Sequence, residues 1–150
     1  MTSDTESPPV IPRPGASAVV FRDGQVLLVQ RGKLPLRGVW SLPGGHIEPG
    51  ERALAAAHHE LAEETGVEAD LKGVADAVDV VLRHDDGSLR AHYVLTAFYG
   101  VWLRGEPVAA SDAMDARWVL PEALDSFTLT PGAADVILKA RGLLEDGPAA

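Results

Sequence analysis

The chain has 150 residues, 46% hydrophobic and 23% charged, a composition that supports one domain with a real core and excludes an intrinsically disordered chain. Its 22 acidic against 13 basic residues give a formal net charge of −9, which argues against nucleic-acid polymers and anionic membranes as partners, because their phosphates are repelled. With no cysteine, disulfides and thiolate metal sites are excluded, and a reducing, cytoplasmic setting is the expectation.

Residues 1–15, MTSDTESPPVIPRPG, are polar and proline-rich and read as a flexible arm or a loosely docked lead-in to a strand. They lack the apolar core of a signal peptide, and no stretch of the chain is long and apolar enough to span a membrane. Residues 16–21 and 26–30 are strand-like runs, and the Asp23-Gly24 pair between them signals a hairpin. A loop rich in Gly, Pro and basic residues follows, RGKLPLRGVWSLPGG, with room for a short strand around residues 40–42. Residues 51–65 hold five alanines, two leucines and no β-branched residue before Thr65, and so predict a helix. Gly66 reads as its left-handed cap, with Val67 folding back onto the last turn. Residues 74–82 and 90–103 read as two long strands around a turn at 84–88. Residues 116–120 form a short strand and 121–124 a single helical turn. Residues 131–141 form an amphipathic closing helix with Pro131 in its first turn, and 145–150 a flexible tail. Hairpins mixed with helices, rather than regular βαβ alternation, predict an α+β fold over residues 16–144.

The stretch HHELAEETGV, residues 58–67, poses an electrostatic problem. Glu60, Glu63 and Glu64 crowd the negative end of the helix dipole and repel one another at i,i+3 and i,i+4, which together destabilises the helix by on the order of 1–3 kcal/mol. At ~100° per residue they share an arc of roughly 100°, beside the face that Leu54, Ala57 and Leu61 are expected to turn toward a sheet. A solvated acidic face is one reading. The other starts from Pro43-Gly44-Gly45, a tight loop whose backbone can approach a ligand, and from Glu51, a fourth carboxylate nearby. Oxygen donors in this number suit a hard cation, Mg²⁺ or Mn²⁺, whose charge offsets the repulsion.

Gly45-x5-Glu51-x7-His59-Glu60-Leu61-Ala62-Glu63-Glu64-Thr65-Gly66-Val67 resembles the signature of the Nudix hydrolases, the MutT-like family, G-x5-E-x7-R-E-U-x-E-E-x-G-U with U aliphatic. The resemblance extends from the first hairpin to the closing helix. It implies an α/β/α sandwich around a mixed sheet, and a pyrophosphohydrolase that cleaves a nucleoside diphosphate linked to another group with Mg²⁺ or Mn²⁺. By the same resemblance Glu60, Glu63 and Glu64 hold the metal together with the Gly45 carbonyl. Glu60, Glu63, Glu51 and His59 then form the catalytic group, with one carboxylate doubling as base. His59 departs from the pattern, standing where the family has arginine and the arginine holds the glutamate equivalent to Glu51. A catalytically weak nucleotide-binding or regulatory domain is therefore the competing reading. The retention of all four glutamates favours chemistry.

Arg31, Lys33 and Arg37 precede the signature and either meet the substrate's phosphates or simply solubilise the surface. Asp112 and Asp115 are alternative bases, or cap a turn before a strand. Trp40 reads as core. His92 and Tyr93 point to opposite faces, so only one reaches a cleft, and Asp76 and Asp79 either line a pocket or cap its solvent edge. The implied partner is a small nucleotide: ADP-ribose, an NDP-sugar and a nucleoside triphosphate all remain open. A homodimer is compatible with the resemblance.

Overall fold

The run ASAVVF at residues 16–21 is apolar at nearly every position, the pattern of a strand buried on both faces. In the computed structural model, which describes residues 9–147, this run forms the heart of β1 (Arg13–Arg22), at the middle of a seven-stranded sheet. The other strands are β2 (Gln25–Arg31), β3 (Trp40–Ser41), β4 (Gly44–His46), β5 (Glu68–Arg83), β6 (Leu89–Arg104) and β7 (Ala113–Val119). The main path runs β3-β2-β1-β6-β5, with β4 also on β1 and β7 on β2. β1 and β6 are parallel, from Arg13↔Tyr93 to Phe21↔Val101, and the remaining pairings are antiparallel, so the sheet is mixed.

Alternation along the central strands divides the core between two helices, α1 (Ala53–Thr65) and α2 (Ala133–Asp146). Ala16, Ala18, Val20 and Leu27 pack on the α1 side with Ala57, Leu61 and Val67. Val19, Val26 and Leu28 pack on the other side with Val136, Ile137 and Ala140 of α2. Each fully buried valine, leucine or isoleucine here contributes about 1.5–3 kcal/mol. Three layers result, the expected α/β/α sandwich. The first hairpin also forms as expected: Asp23 and Gly24 take φ of 50° and 80°, the left-handed pair that a two-residue turn needs.

Several boundaries differ, for identifiable reasons. β1 begins at Arg13 because β6 extends far enough to pair with it, so only residues 1–8 of the expected arm lie outside the described residues. β4 was not expected, since Gly44-Gly45-His46 has weak strand propensity. It is held by backbone bonds that flank it, Ala18 N–H to Pro43 O at 2.9 Å and Ile47 N–H to Pro14 O at 3.3 Å. β5 begins at Glu68, not 74. Its first residues alternate exposed and covered along a sheet edge broken by register shifts, and Asp70 and Lys72 disguise them as loop. Pro131 lies outside α2, because Gly132 at φ 81° turns the chain into the helix as its N-cap. α2 also runs past Arg141 to Asp146, with Leu143 and Leu144 against the core. That carries helix into the expected tail, of which residues 148–150 lie outside the described residues. Trp40 is core, edge-on to Phe127 at 5.2 Å.

Candidate active site

α1 reaches the site because its alanines let it approach the sheet closely. Ala56 and Ala57 pack on Ala16, where small side chains on both elements bring the backbones together. The buried stripe therefore runs through Ala56, Ala57, Leu61, Glu64 and Thr65. Leu54, expected on that stripe, is 41% exposed. The helix is thus rolled toward its acidic arc: Glu64 is buried, Glu60 half-buried and Glu63 exposed. The helix ends as the sequence predicts, on Gly66 at φ 76°, whose N–H reaches Ala62 O.

The loop before the helix meets these carboxylates. Gly44 donates its N–H to Glu64 Oε1 at 3.1 Å. A Cβ on Gly45 would collide with the Glu60 carboxylate, so that glycine is required by the approach of Glu60. Glu51 does not open the helix as expected. Its N–H bonds Glu48 O, and its Oε1 accepts from Glu48 N–H at 3.0 Å, which closes a turn before the N-cap at Arg52. His59, 63% exposed, bridges two carboxylates, with Nδ1 3.7 Å from Glu51 Oε2 and Nε2 3.1 Å from Glu63 Oε2. Histidine thus reaches the Glu51 that the family's arginine would hold. The loop between β6 and β7 closes the other side. Val108 and Ala110 donate N–H groups to the Thr65 and Glu64 carbonyls, satisfying orphan acceptors at the helix end. Ser111 Oγ bonds Glu63 Oε1 at 3.2 Å.

The electrostatics are those of a site short of positive charge. Burial pushes the Glu64 carboxyl up to about 7, with Glu60 and Asp112 adding, against the Gly44 N–H and Arg31, which lower it. Burial also raises Glu60, with Glu63 the next cause and His59 opposing. One donor atom from each of His59, Glu60 and Glu63 lies within 4.8 Å of the other two, while Glu64 faces Gly44 beside them. Burial that disfavours the charged forms of Glu60 and Glu64, with Glu63 beside them, fits a hard divalent cation, which supplies compensating charge.

Glu60 and Glu64 open onto a cavity of about 320 Å³ that also takes in Gly44, Gly45, Arg31, Lys33, Asp112 and Tyr93. Val78, Val80, Leu82 and Leu95 give it an aliphatic wall. Arg31 Nε donates to Pro35 O at 2.9 Å, and Lys33 pairs with Asp112 at 3.2 Å across the opening. Arg37 is exposed and does not line the cavity. Of the two aspartates offered as bases, Asp112 lines the cavity while Asp115 lies within β7 and binds Arg117. Tyr93, not His92, reaches the cavity; His92 binds Asp79 at 2.8 Å and Asp76 binds Lys139, so both aspartates cap the solvent edge. Ser17, His46 and Thr130 also line the cavity. Nothing in the local sequence marks them, because long-range pairing brings them there.

The NUDIX domain family matches residues 11–140. The chain belongs to the Nudix family. Over 135 residues it is 38% identical to a putative 8-oxo-dGTP diphosphatase 2 of Mycobacterium tuberculosis, covering 80% of this chain and 92% of that one. Over 107 residues it is 30% identical to an ADP-ribose pyrophosphatase of Methanocaldococcus jannaschii, covering 71% and 61%. A crystal structure of a MutT NUDIX hydrolase from Burkholderia pseudomallei superposes with a TM-score of 0.75 at 27% identity, over 86% of this chain and 98% of that one. The chain is thus a Nudix hydrolase, an enzyme acting on phosphoanhydride bonds, in a family whose members work with divalent metal ions. Among the described residues no helix is long and apolar enough to cross a membrane.

Contacts in this Nudix site separate the roles of its two glycines. A Cβ at Gly44 would meet backbone, Ala16 O at 2.7 Å, whereas one at Gly45 meets the far end of the Glu60 side chain. Gly44→Ala should therefore destabilise the fold by about 1–3 kcal/mol. Gly45→Ala should melt close to wild type, displace Glu60 and lose most activity, as thermal melts and rates on one substrate will show. Histidine is a cation only when protonated, whereas arginine is one at every working pH. His59→Arg, a permanent cation that can still meet both carboxylates, should keep activity, and His59→Ala should lower it by loosening Glu51 and Glu63. Superimposable pH–rate profiles for the three proteins would remove His59 from the site.

Proposed function

We propose that this Nudix hydrolase is a cytoplasmic Mg²⁺- or Mn²⁺-dependent pyrophosphohydrolase of nucleoside diphosphates linked to another group. Nucleoside 5′-triphosphates are the first candidates and ADP-ribose the second, after the names of the relatives. The observation that carries the reading is the convergence of Glu60 and Glu64 on Gly44 and Gly45 at a cavity that also holds Arg31 and Lys33.

Glu60, Glu63 and Glu64 hold the cation with the Gly45 carbonyl, while Glu51 and His59 keep Glu63 and its neighbours in place. When bound, the cation neutralises phosphate oxygens and makes water a better nucleophile. Arg31 and Lys33 receive the phosphates at the opening, with Lys33 exchanging Asp112 for the substrate. The proton of the attacking water passes to a carboxylate of the cluster, and Glu60, which lines the cavity, is the first candidate. Asp112 on the facing loop is the alternative acceptor. The aliphatic wall from Val78 to Leu95 takes the nucleoside.

A panel of nucleoside triphosphates (oxidised forms included), ADP-ribose and NDP-sugars, incubated with Mg²⁺ and analysed for products, tests this. At least one member should yield a nucleoside monophosphate, and none should do so in EDTA. Turnover undiminished in EDTA, or no turnover across the panel with Mg²⁺ and Mn²⁺, would refute it.

A further inference from the structure

An open groove of about 680 Å³ adjoins the active-site cavity, lined by residues 9–11, Arg13, Pro35 and residues 90–93. Pro35 and Tyr93 line both spaces, so the two are immediate neighbours. The strand registers fix its place. Ala16 of β1 pairs with Gly45 on one side and Thr96 on the other, and Arg13 pairs with Tyr93. At ~3.3 Å per residue, Arg13 stands roughly 10 Å along the sheet from Gly45 and Arg90 roughly 20 Å.

The charge of this groove is at odds with the rest of the protein. The chain carries a net charge of −9, and many of its cations are held by carboxylates, as Arg22 is by Glu106 and Lys33 by Asp112. Among the described residues no carboxylate lies within ion-pair distance of Arg13 or Arg90. The acidic side chain bound to the groove's wall, Asp79, is engaged by His92. Two exposed arginines therefore line one groove beside a cavity already read as a nucleotide site. Their planar forks match phosphate oxygens in pairs.

We propose that the groove binds a second phosphate group of the substrate, carried on the far side of the nucleoside from the phosphoanhydride that is cut, with Arg13 and Arg90 as donors. The proposal rests on the nucleotide reading of the cavity. It narrows the substrate class to nucleotides with an additional 2′- or 3′-phosphate, or to a nucleotide extended through such a phosphate. A plain nucleoside triphosphate or ADP-ribose would leave the groove unfilled and be the poorer ligand.

The test uses ligands that need no turnover. Calorimetry compares AMP with adenosine 3′,5′-bisphosphate, and GMP with guanosine 3′,5′-bisphosphate, at low salt. In wild type the bisphosphate of at least one pair should bind about tenfold more tightly than its monophosphate. In Arg13→Ala/Arg90→Ala that gain should disappear while monophosphate binding is kept, and Arg13→Lys/Arg90→Lys should restore part of it. Equal affinities in both pairs for wild type, undetectable binding included, would overturn the proposal, as would a gain that survives in the alanine variant. A gain seen in a protein that hydrolyses neither the panel above nor its 3′-phosphorylated counterparts would refute the proposed reaction and leave the groove standing. Hydrolysis without the gain would do the reverse.

Discussion

Glu60→Gln, Glu63→Gln and Glu64→Gln should each lower kcat on the best substrate by at least about a hundredfold, the scale of several kcal/mol in transition-state stabilisation. Each change keeps the size of the side chain and removes the charge that holds a cation. The fold should survive. In Glu64→Gln the new amide oxygen can still accept the Gly44 N–H, and Glu63 is exposed, held by Ser111 and His59. Glu106→Gln, at a surface pair with Arg22, is the control that should leave turnover unchanged. Wild-type rates in Glu60→Gln and Glu64→Gln would dismiss the carboxylate cluster as the catalytic centre.

Metal-free stability should fall as pH rises from about 4.5 to above 7, because of Glu64. Burial lifts its carboxyl from 4.5 to about 7 in the folded protein, so the folded state holds a proton that the unfolded chain has released. The contribution is fully present below the unfolded value and is lost as pH climbs through the folded one. The displacement from 4.5 to about 7 corresponds to on the order of 3 kcal/mol, or a melting-point change of roughly 6–12 °C for a domain of this size. In EDTA, wild type should therefore melt lower at pH 8 than at pH 5, relative to Glu64→Gln, which lacks the titrating group. A divalent cation at a hundredfold excess over its Kd should restore about 2.7 kcal/mol to wild type and about 1.4 kcal/mol or less to the variant, whose affinity is at least about tenfold weaker. Parallel melting profiles for the two proteins across this range would show that Glu64 ionises as freely in the folded state as in the unfolded one.

The signature residues and the three-layer fold were legible because their signals are local or periodic. Asp23-Gly24 made its hairpin, Gly66 capped α1, and residues 60–64 announced their own repulsion. What stayed hidden depends on distant pairing. The roll of α1 that buries Glu64 and exposes Leu54 comes from alanine meeting alanine across the helix–sheet contact, Ala56 and Ala57 on Ala16, and hydrophobic weight alone favours Leu54. β4 exists only because β1 passes beside Gly44-Gly45. Lys33 and Arg37 look alike in sequence, yet only Lys33 reaches the cavity, where Asp112 holds it. His59 is a more instructive case. As a departure from the family's arginine it raised the prospect of a weakened enzyme, yet its ring touches both Glu51 and Glu63.

The carboxylates gathered under Gly44 and Gly45 are proposed to bind the divalent cation that the reaction needs. Mn²⁺ binding to the substrate-free protein, followed by electron paramagnetic resonance, measures this without any assumption about the nucleotide. Wild type and Glu106→Gln should bind Mn²⁺ saturably and alike, and Glu60→Gln, Glu63→Gln and Glu64→Gln should each weaken that binding by about tenfold or more. Identical Mn²⁺ affinities in wild type and all three cluster variants would contradict it.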